Sequence, residues 1–589
     1  MEITLASGEH ADARRAEQLG PAHFMLHQAA FTTCPQGDRG GWWLRADEAE
    51  LNQQSGVLTA HGVRFDLAGL PILYSPYWQH PLRRRSGLLM PKLGFGKRRG
   101  SELSLPLYWA PSASWDATIT PHWMEARGLQ GGIELRHASH LGREMVELEG
   151  VRDRQLGNVV RKAASAAVNW QLAHGLSFDL DGSYVGDRGY LADFSPDAIN
   201  GATRYLTSTA TIGWQGLQGR SLLMVQRSQN LAVSNDAATL QILPRLESHH
   251  RLPLRGGGLL FGLDQQSTNF SRSVGSSGVR VVLAPYLELP WQMAGGGARA
   301  LLHIGVRRVD YRLRNGLSPK RQHINSLDGS LTIATTFARI GGDGLWSHQI
   351  SPTLRYDHIS APDQSRLPQF DSSFVRLNMS NLMQGSRFIG NDRVERTDRL
   401  SLLFTQRLQH KERLAAAAET LFTTTLGISY DLLRQSVDRA LQPLASRPWS
   451  NLLGTMKWQP WQGVTLSADG QYDAANRYWA YSTLSATAGD GRGDTLQVLY
   501  HQTDRRYVTA AESIESRVAV ALADRWSAAG RLHYDLRQRL TRFANVTMTY
   551  DHACWKITLE GYQNRLQAAT SSQRDVGGRV EFSVNGLGG

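Results

Sequence analysis

Apolar and polar residues alternate almost without exception between Val168 and Tyr184. The even positions carry mainly Val, Trp, Leu, Phe and Tyr, whereas the odd positions carry mainly Asn, Gln, Ser and Asp. A period of two places successive side chains on opposite faces of a β-strand. The run is also much longer than a strand of a soluble sheet, which usually has about 5–6 residues. The pattern therefore predicts long strands with one apolar face and one polar face.

The same alternation returns at 464–472, 526–536 and 579–585. At roughly 20 residues per strand and half-loops, the span from about Ser86 to the end would hold about 26 strands. Soluble β-sandwiches would show shorter strands at a spacing of 8–12 residues. We therefore predict an all-β protein that forms a large closed antiparallel transmembrane β-barrel, with lipid on the apolar face and a watery lumen on the polar face.

Residues 1–75 differ from this pattern and contain short apolar pieces separated by turn-forming Gly, Asp and Asn. We interpret them as the last rungs of a separate β-structured domain, so that the predicted division is 1–75 and 76–589. Longer polar or proline-rich segments are predicted outer loops, namely 186–201, 359–373, 383–398 and 432–450.

Composition narrows the class of protein. Hydrophobic residues make up 41% of the 589 residues, and no stretch approaches the roughly 18 apolar residues of a membrane helix. The net charge of +12 is spread along the chain without zinc-finger spacing or a basic helix, so no nucleic-acid partner is expected.

The chain has no GxSxG or HExxH motif, and no metal, cofactor or catalytic site is expected. Residues 1–20 lack the apolar region of a signal peptide, which suggests a processed or truncated form.

The two cysteines, Cys34 and Cys554, fall in the two different parts of the chain. The apolar positions are even before Asp551 and odd after Cys554, which predicts a tight turn at 551–554. Short turns of bacterial barrels face the periplasm, where a disulfide would persist. From the residues alone, an inter-domain disulfide and two unrelated buried cysteines are both open.

A series of segments resembles the LPS-assembly protein LptD family, in the same order and from about residue 20 to the end. These segments are FTTCP (31–35), GLPILYSPY (69–77), RSGLLMP (85–91), LPLYWAP (105–111), WDATITP (115–121), DQSRLPQFD (363–371), RFIGND (387–392), YDHACW (550–555) and VNGLG (584–588).

The resemblance implies a transport component and not an enzyme. The family inserts lipopolysaccharide into the outer leaflet of the Gram-negative outer membrane. Lipid is expected to arrive on a periplasmic bridge that includes LptA, enter an N-terminal β-jelly roll in the periplasm, and leave between the first and last barrel strands. The lipoprotein LptE is expected as a plug inside the barrel. A passive outer-membrane porin and a barrel lipid hydrolase are the alternatives.

The resemblance also assigns roles to residues. Cys34 and Cys554 match disulfide partners, and Ala553 replaces a further family cysteine, so a single bridge is expected. Pro91 and Pro106 match prolines of the first two strands, where a missing amide donor would weaken a lateral gate. Alternatively, these prolines only tolerate the geometry of strand starts.

Lipid contacts are expected at two places. Phe24, Leu26 and Phe31 are candidates for an acyl-chain groove in the N-terminal domain. Arginines before the first barrel strand could pair with lipid phosphates through their forked donors, or could form an ordinary basic rim. These arginines are Arg83, Arg84 and Arg85.

Overall fold

A computed structural model describes most of the chain. The described residues are 2–4, 10–35, 40–52, 54, 56–81, 86–195, 203–254, 258–293, 295–315, 319–414, 416–433, 436–437, 443–444, 447–567 and 572–584.

The N-terminal part forms a six-stranded antiparallel sheet in which each strand pairs with the next along the chain. In β4, Trp42, Leu44 and Ala46 are buried whereas Arg45 and Asp47 are exposed, because alternate side chains point to opposite faces. The six strands are β1 (Glu2–Thr4), β2 (His10–Gly20), β3 (His23–Thr32), β4 (Trp42–Asn52), β5 (Val57–Leu67) and β6 (Leu70–Pro81).

A second, much larger antiparallel sheet begins at Gly87 and closes on itself. Its strands and the two small hairpins in its loops (β25–β26 and β29–β30) are β7 (Gly87–Leu88), β8 (Lys92–Gly96), β9 (Gly100–Ser104), β10 (Leu107–Trp109), β11 (Trp115–Met124), β12 (Gly128–Ala138), β13 (Gly142–Asp153), β14 (Val159–Gln171), β15 (Leu176–Val185), β16 (Tyr205–Gly216), β17 (Gly219–Asn230), β18 (Gln241–Pro253), β19 (Leu260–Ser271), β20 (Ser277–Gln292), β21 (Ala298–Asn315), β22 (Arg321–Thr335), β23 (Phe337–Ile340), β24 (Trp346–Ile359), β25 (Ser373–Phe374), β26 (Phe388–Ile389), β27 (Thr397–His410), β28 (Glu419–Asp431), β29 (Ser436–Val437), β30 (Pro443–Leu444), β31 (Leu452–Trp461), β32 (Val464–Asp473), β33 (Tyr478–Gly489), β34 (Thr495–Thr503), β35 (Ala511–Ala523), β36 (Trp526–Asp535), β37 (Leu540–Asp551), β38 (Trp555–Gln567) and β39 (Ser572–Val584).

Within the described residues the barrel has 26 strands, which confirms the predicted fold class and strand number. Three of these strands are interrupted, so that β7 with β8, β9 with β10, and β22 with β23 each form one barrel strand. The last strand, β39, pairs antiparallel with β8 and closes the barrel. In the described part of the chain, helical structure is confined to α1 (Tyr190–Phe194) and the 3-10 turns Arg154–Leu156 and Ala173–Gly175.

The barrel strands have one apolar outer face and one polar inner face. In β38, Leu559 is 42% exposed on the outer face, while Lys556, Thr558 and Glu560 alternate with it on the inner face. We count the barrel strands along the chain from 1 (β7 with β8) to 26 (β39). Because neighbouring strands are antiparallel, odd-numbered strands of this count begin, and even-numbered strands end, at the end of the barrel that carries the 551–554 turn. We call this the lower end. Most of the exposed tryptophans in the described residues lie there, as in a membrane-interface girdle, namely Trp109, Trp115, Trp214, Trp291, Trp346, Trp458, Trp461 and Trp526.

The described parts of the predicted outer loops lie at the opposite, upper end of the barrel, whereas their residues 196–201, 434–435, 438–442 and 445–446 lie outside the described residues. The segment between β15 and β16 contains α1, and the segment 360–396 connects β24 to β27. Both contact inward-pointing side chains of the barrel wall. The described parts of these loops therefore fold into the barrel.

Candidate functional site

A disulfide joins the N-terminal sheet to the lower end of the barrel. Cys34, just after β3, bonds Cys554 in the β37–β38 turn, with 5.0 Å between the two Cα atoms. Both cysteines are buried. The Trp555 indole N–H also donates a hydrogen bond to the Gly40 carbonyl at 3.0 Å. The predicted inter-domain disulfide is confirmed, and it fixes the sheet beside the β37–β38 turn of the barrel.

The interior of the N-terminal sheet is apolar. A small apolar cavity lies between its strands. Leu26 and Phe31 line this cavity, and Phe24 packs against the same group of buried side chains. The other lining residues are Ala29, Ala30, Leu44, Ala46, Ala49, Leu58, Ala60, Val63 and Trp78.

The apolar interior continues to the barrel wall. The buried cluster that contains Leu26 and Phe31 also contains Val584 at the lower end of β39. Met90, between β7 and β8, and Phe582 of β39 pack against this cluster. The cluster therefore connects the interior of the sheet with the lower ends of the first and last barrel strands.

The contact between the first and last barrel strands, which we call the seam, is short. It consists of five residue pairs that match Lys92–Gly96 with Gly577–Glu581. By comparison, β38 and β39 share thirteen pairs. The Lys92 ammonium and the Glu581 carboxylate lie 2.9 Å apart at the lower end of the seam, but both are about half exposed and such pairs contribute little.

Below the seam, the described residues of the two strands share no ladder pair. We call this region the seam foot and define it as 87–91 with Phe582–Val584. Pro91 lies directly below the last pair and interrupts the first strand between β7 and β8. Pro106 interrupts the second strand between β9 and β10, where its carbonyl accepts a hydrogen bond from the Leu89 N–H at 2.8 Å. Pro91 thus lies in the seam foot itself, and Pro106 lies in the second barrel strand beside it.

The three arginines with a predicted role in binding lipid phosphate lie outside the described residues. They are Arg83, Arg84 and Arg85.

A buried ion-pair network holds the 360–396 loop against the inner wall. The Arg280 guanidinium of β20 donates to Asp371 at 2.6 and 2.7 Å and to Asp392 at 2.6 Å. Arg280 and Asp392 are fully buried. Burial alone would raise the pKa of the Asp371 carboxyl, but hydrogen bonds and charge from Arg280 outweigh it and hold this pKa below its ordinary value. Sequence reasoning did not find Arg280, although both of its aspartates lie in the motifs that carry the resemblance.

A second network holds α1 against the inner wall near the first strands. Asp193 of α1 accepts hydrogen bonds from Arg127 at 3.0 Å and from Arg161 at 2.7 Å. The Arg99 guanidinium, in the turn between β8 and β9, donates to the Phe194 carbonyl at 3.2 Å. The loop that contains α1 therefore contacts the upper tip of the first hairpin.

Fold and site together define a large outer-membrane β-barrel with a disulfide-linked β-sheet at its lower end. The family model described as "LptD: LPS transport system D" matches residues 160–516. The chain belongs to this family, and it is a Gram-negative outer-membrane protein.

Curated relatives match almost the whole chain. The LPS-assembly protein LptD of Chromobacterium violaceum is 28% identical over 98% of this chain and 74% of its own length. The LPS-assembly protein LptD of Albidiferax ferrireducens is 26% identical over 99% of this chain and 77% of its own length. Among solved structures, the FrpB iron transporter from Neisseria meningitidis has a TM-score of 0.31 and 9% identity, over 85% of this chain and 83% of that chain.

None of the helices in the described part of the chain is long and apolar enough to cross a membrane. Across the same residues, no group of three or more His, Cys, Asp or Glu side chains could hold a metal ion.

Proposed function

We propose that this protein receives lipopolysaccharide from the periplasm and inserts it into the outer leaflet through the seam. One observation carries the proposal: the apolar interior of the N-terminal sheet continues to Met90, Phe582 and Val584 at the seam foot. An acyl chain could follow this route without crossing a polar surface, which would be costly. The family and the names of its curated relatives support the substrate.

The two parts of the chain would have different roles in transport. Residues 1–75 would form the last rungs of the lipid-receiving jelly roll, with Phe24, Leu26 and Phe31 contacting acyl chains, and residues 76–589 would translocate. Pro91 and Pro106 would lower the cost of opening by about 0.5–1.5 kcal/mol for each missing hydrogen bond. The sugar would cross the polar lumen while the acyl chains pass the seam.

Partners would dock at both ends of this route. β1 is an edge strand of the described sheet, and an edge strand can be extended by a strand of another protein. We propose that the bridge protein LptA continues the sheet there, with the sheet in the periplasm, and that the lipoprotein LptE occupies the lumen. Arg83, Arg84 and Arg85 would meet the lipid phosphates before the first strand.

The alternatives fit these observations less well. A passive porin would need neither the disulfide-linked sheet nor an apolar route to the wall. A lipid hydrolase would differ from the transport and assembly function that the names of the family and its relatives state. The transport function therefore accounts for both parts of the chain.

Locking the seam tests this function. Leu93 and Val580 are paired across the seam and both point outward. Paired residues of antiparallel strands have Cα atoms about 4.5–5.5 Å apart, which suits a disulfide. We expect the double variant Leu93→Cys/Val580→Cys, when oxidised, to lose nearly all delivery of new lipopolysaccharide to the cell surface.

The matched control places the same crosslink between two other outward-facing neighbours, Leu135→Cys/Val146→Cys on β12 and β13. This control should deliver lipopolysaccharide normally, because it leaves the seam free. Normal delivery with a fully crosslinked seam would contradict the proposed route.

A further inference from the structure

The upper part of the seam consists largely of glycine. On the inner face, Gly577 of β39 pairs with Gly96 of β8, and Arg579 pairs with Gly94. On the outer face, Gly578 pairs with Phe95. Glycine has no side chain to form cross-strand contacts, so these pairs stabilise a sheet poorly unless a neighbouring side chain covers them.

Tyr562 covers the two glycines of the inner face. It lies on β38 and is paired with Gly577, which is in turn paired with Gly96, so the three residues form one row across three strands. A methyl group at Gly577 would lie 2.5 Å from the Tyr562 hydroxyl oxygen, and one at Gly96 would lie 2.9 Å from it. The phenol ring therefore lies across β39 and reaches the first strand.

The tyrosine also contacts the tip of the first hairpin. The Arg99 guanidinium interacts with the Tyr562 hydroxyl and donates to the Phe194 carbonyl at 3.2 Å. Tyr562 and Arg99 are both buried. One buried contact thus links β38, on one side of the seam, with the first hairpin and α1 on the other side.

We propose that Tyr562 is the latch of the seam: it closes the upper part by lying over Gly577 and Gly96 and by meeting Arg99. Opening the seam must separate Gly96 from Gly577 and so withdraw Tyr562 from Gly96 and Arg99. On the inner face of the upper seam, one side chain that can be displaced thus adds to the backbone hydrogen bonds, which include Lys97 N–H to the Val576 carbonyl at 3.1 Å. In the described seam foot, the first and last strands share no ladder pair. The inference deepens the proposed function, since it identifies what controls the opening through which lipid would leave.

The experiment measures hydrogen–deuterium exchange of seam peptides in the full chain in lipid nanodiscs. Tyr562→Ala should speed exchange at Lys92–Gly96 and Gly577–Glu581 by about tenfold, and Tyr562→Phe, which loses only the hydroxyl, by about threefold. Exchange in β35 and β36 should stay unchanged in both variants, which separates a local latch from a general loss of stability.

Two matched controls accompany these variants. Gly561→Ala changes the neighbouring residue on the outer face, where an added methyl group meets nothing within 4 Å. Tyr356→Phe removes a tyrosine hydroxyl that donates to Asp398 at 2.7 Å, far along the barrel from the seam. Neither should alter seam exchange. Unchanged seam exchange in both Tyr562 variants, or an equal rise in the controls, would overturn the latch.

The two experiments distinguish a failure of the latch from a failure of the proposed function. Faster seam exchange in the Tyr562 variants, combined with normal lipopolysaccharide delivery through a crosslinked seam, would keep the latch and reject the route. Unchanged exchange, combined with blocked delivery in the crosslinked protein, would keep the route and reject the latch.

Discussion

At the scale of single residues, charged side chains inside the barrel hold the loops in place. Arg280 neutralises two aspartates of the 360–396 loop, and the second carboxylate oxygen of Asp392 also accepts hydrogen bonds from the N–H groups of Phe370 and Asp371. Removing one partner of a buried ion pair leaves the other charge uncompensated, which typically costs about 3–5 kcal/mol. The loop should therefore depend strongly on Arg280.

We expect Arg280→Met to release this loop while the barrel remains folded. Trypsin added from outside the cell should cleave the loop at arginines that the wild-type protein protects, such as Arg387 and Arg393. The control is Arg506→Met, which removes an exposed ion pair with Asp504 at 2.9 Å and should cost at most about 1 kcal/mol. Equal cleavage in the two variants would show that Arg280 does not hold the loop.

These contacts also mark a limit of prediction from sequence. Arg280 and Asp392 are 112 residues apart, and only the strand register brings them together. The row of Tyr562, Gly577 and Gly96 likewise depends on which residues are paired across the seam. An alternating pattern indicates which face a residue occupies, but it does not identify its neighbour on the next strand.

At the scale of elements, the alternating pattern predicted the strands well, but it revealed some turns and missed others. The run from Val168 to Tyr184 is two strands, β14 and β15, joined by a turn at 172–175. Its paired residues, such as Gln171 and Ser177, have the same parity, so the alternation continues through the turn unchanged. In the β37–β38 hairpin, Tyr550 pairs with Ile557 and the parity switches. That switch made the 551–554 turn visible in the sequence.

The first strand is the element in which a small change should alter function. Pro91→Ala restores an amide donor directly below the seam, where β39 has no ladder pair with the first strand. We expect this variant to extend the seam and to slow lipopolysaccharide delivery severalfold, because each new hydrogen bond adds about 0.5–1.5 kcal/mol to the cost of opening.

A pulse label that follows new lipopolysaccharide to the cell surface measures this effect. Pro352→Ala is the matched control, since Pro352 lies within β24 and pairs with Phe404 far from the seam. If Pro91→Ala delivered lipopolysaccharide at the rate of this control, the proline would have only a structural role at a strand start.

At the scale of the whole molecule, the seam foot and the apolar interior of the N-terminal sheet meet at the lower end of the barrel. In the described seam foot, the first and last strands share no ladder pair, and the N-terminal sheet opens its apolar interior toward it. The Cys34–Cys554 disulfide fixes the sheet beside the β37–β38 turn, so that the interior and the seam foot stay aligned. The sequence predicted the barrel, the disulfide and the apolar residues of the sheet, whereas their alignment with the seam foot required the structure.

The most direct test of the central claim is photo-crosslinking from the seam foot. A benzophenone amino acid at Phe582 lies at the level of the inner leaflet, where phospholipid and not lipopolysaccharide is the ordinary neighbour. The same amino acid at Trp458 lies at the lower end of a strand across the barrel. The proposed route predicts lipopolysaccharide adducts from position 582 and none from position 458 during active transport. Ongoing transport without adducts at 582, or with equal adducts at both positions, would contradict it.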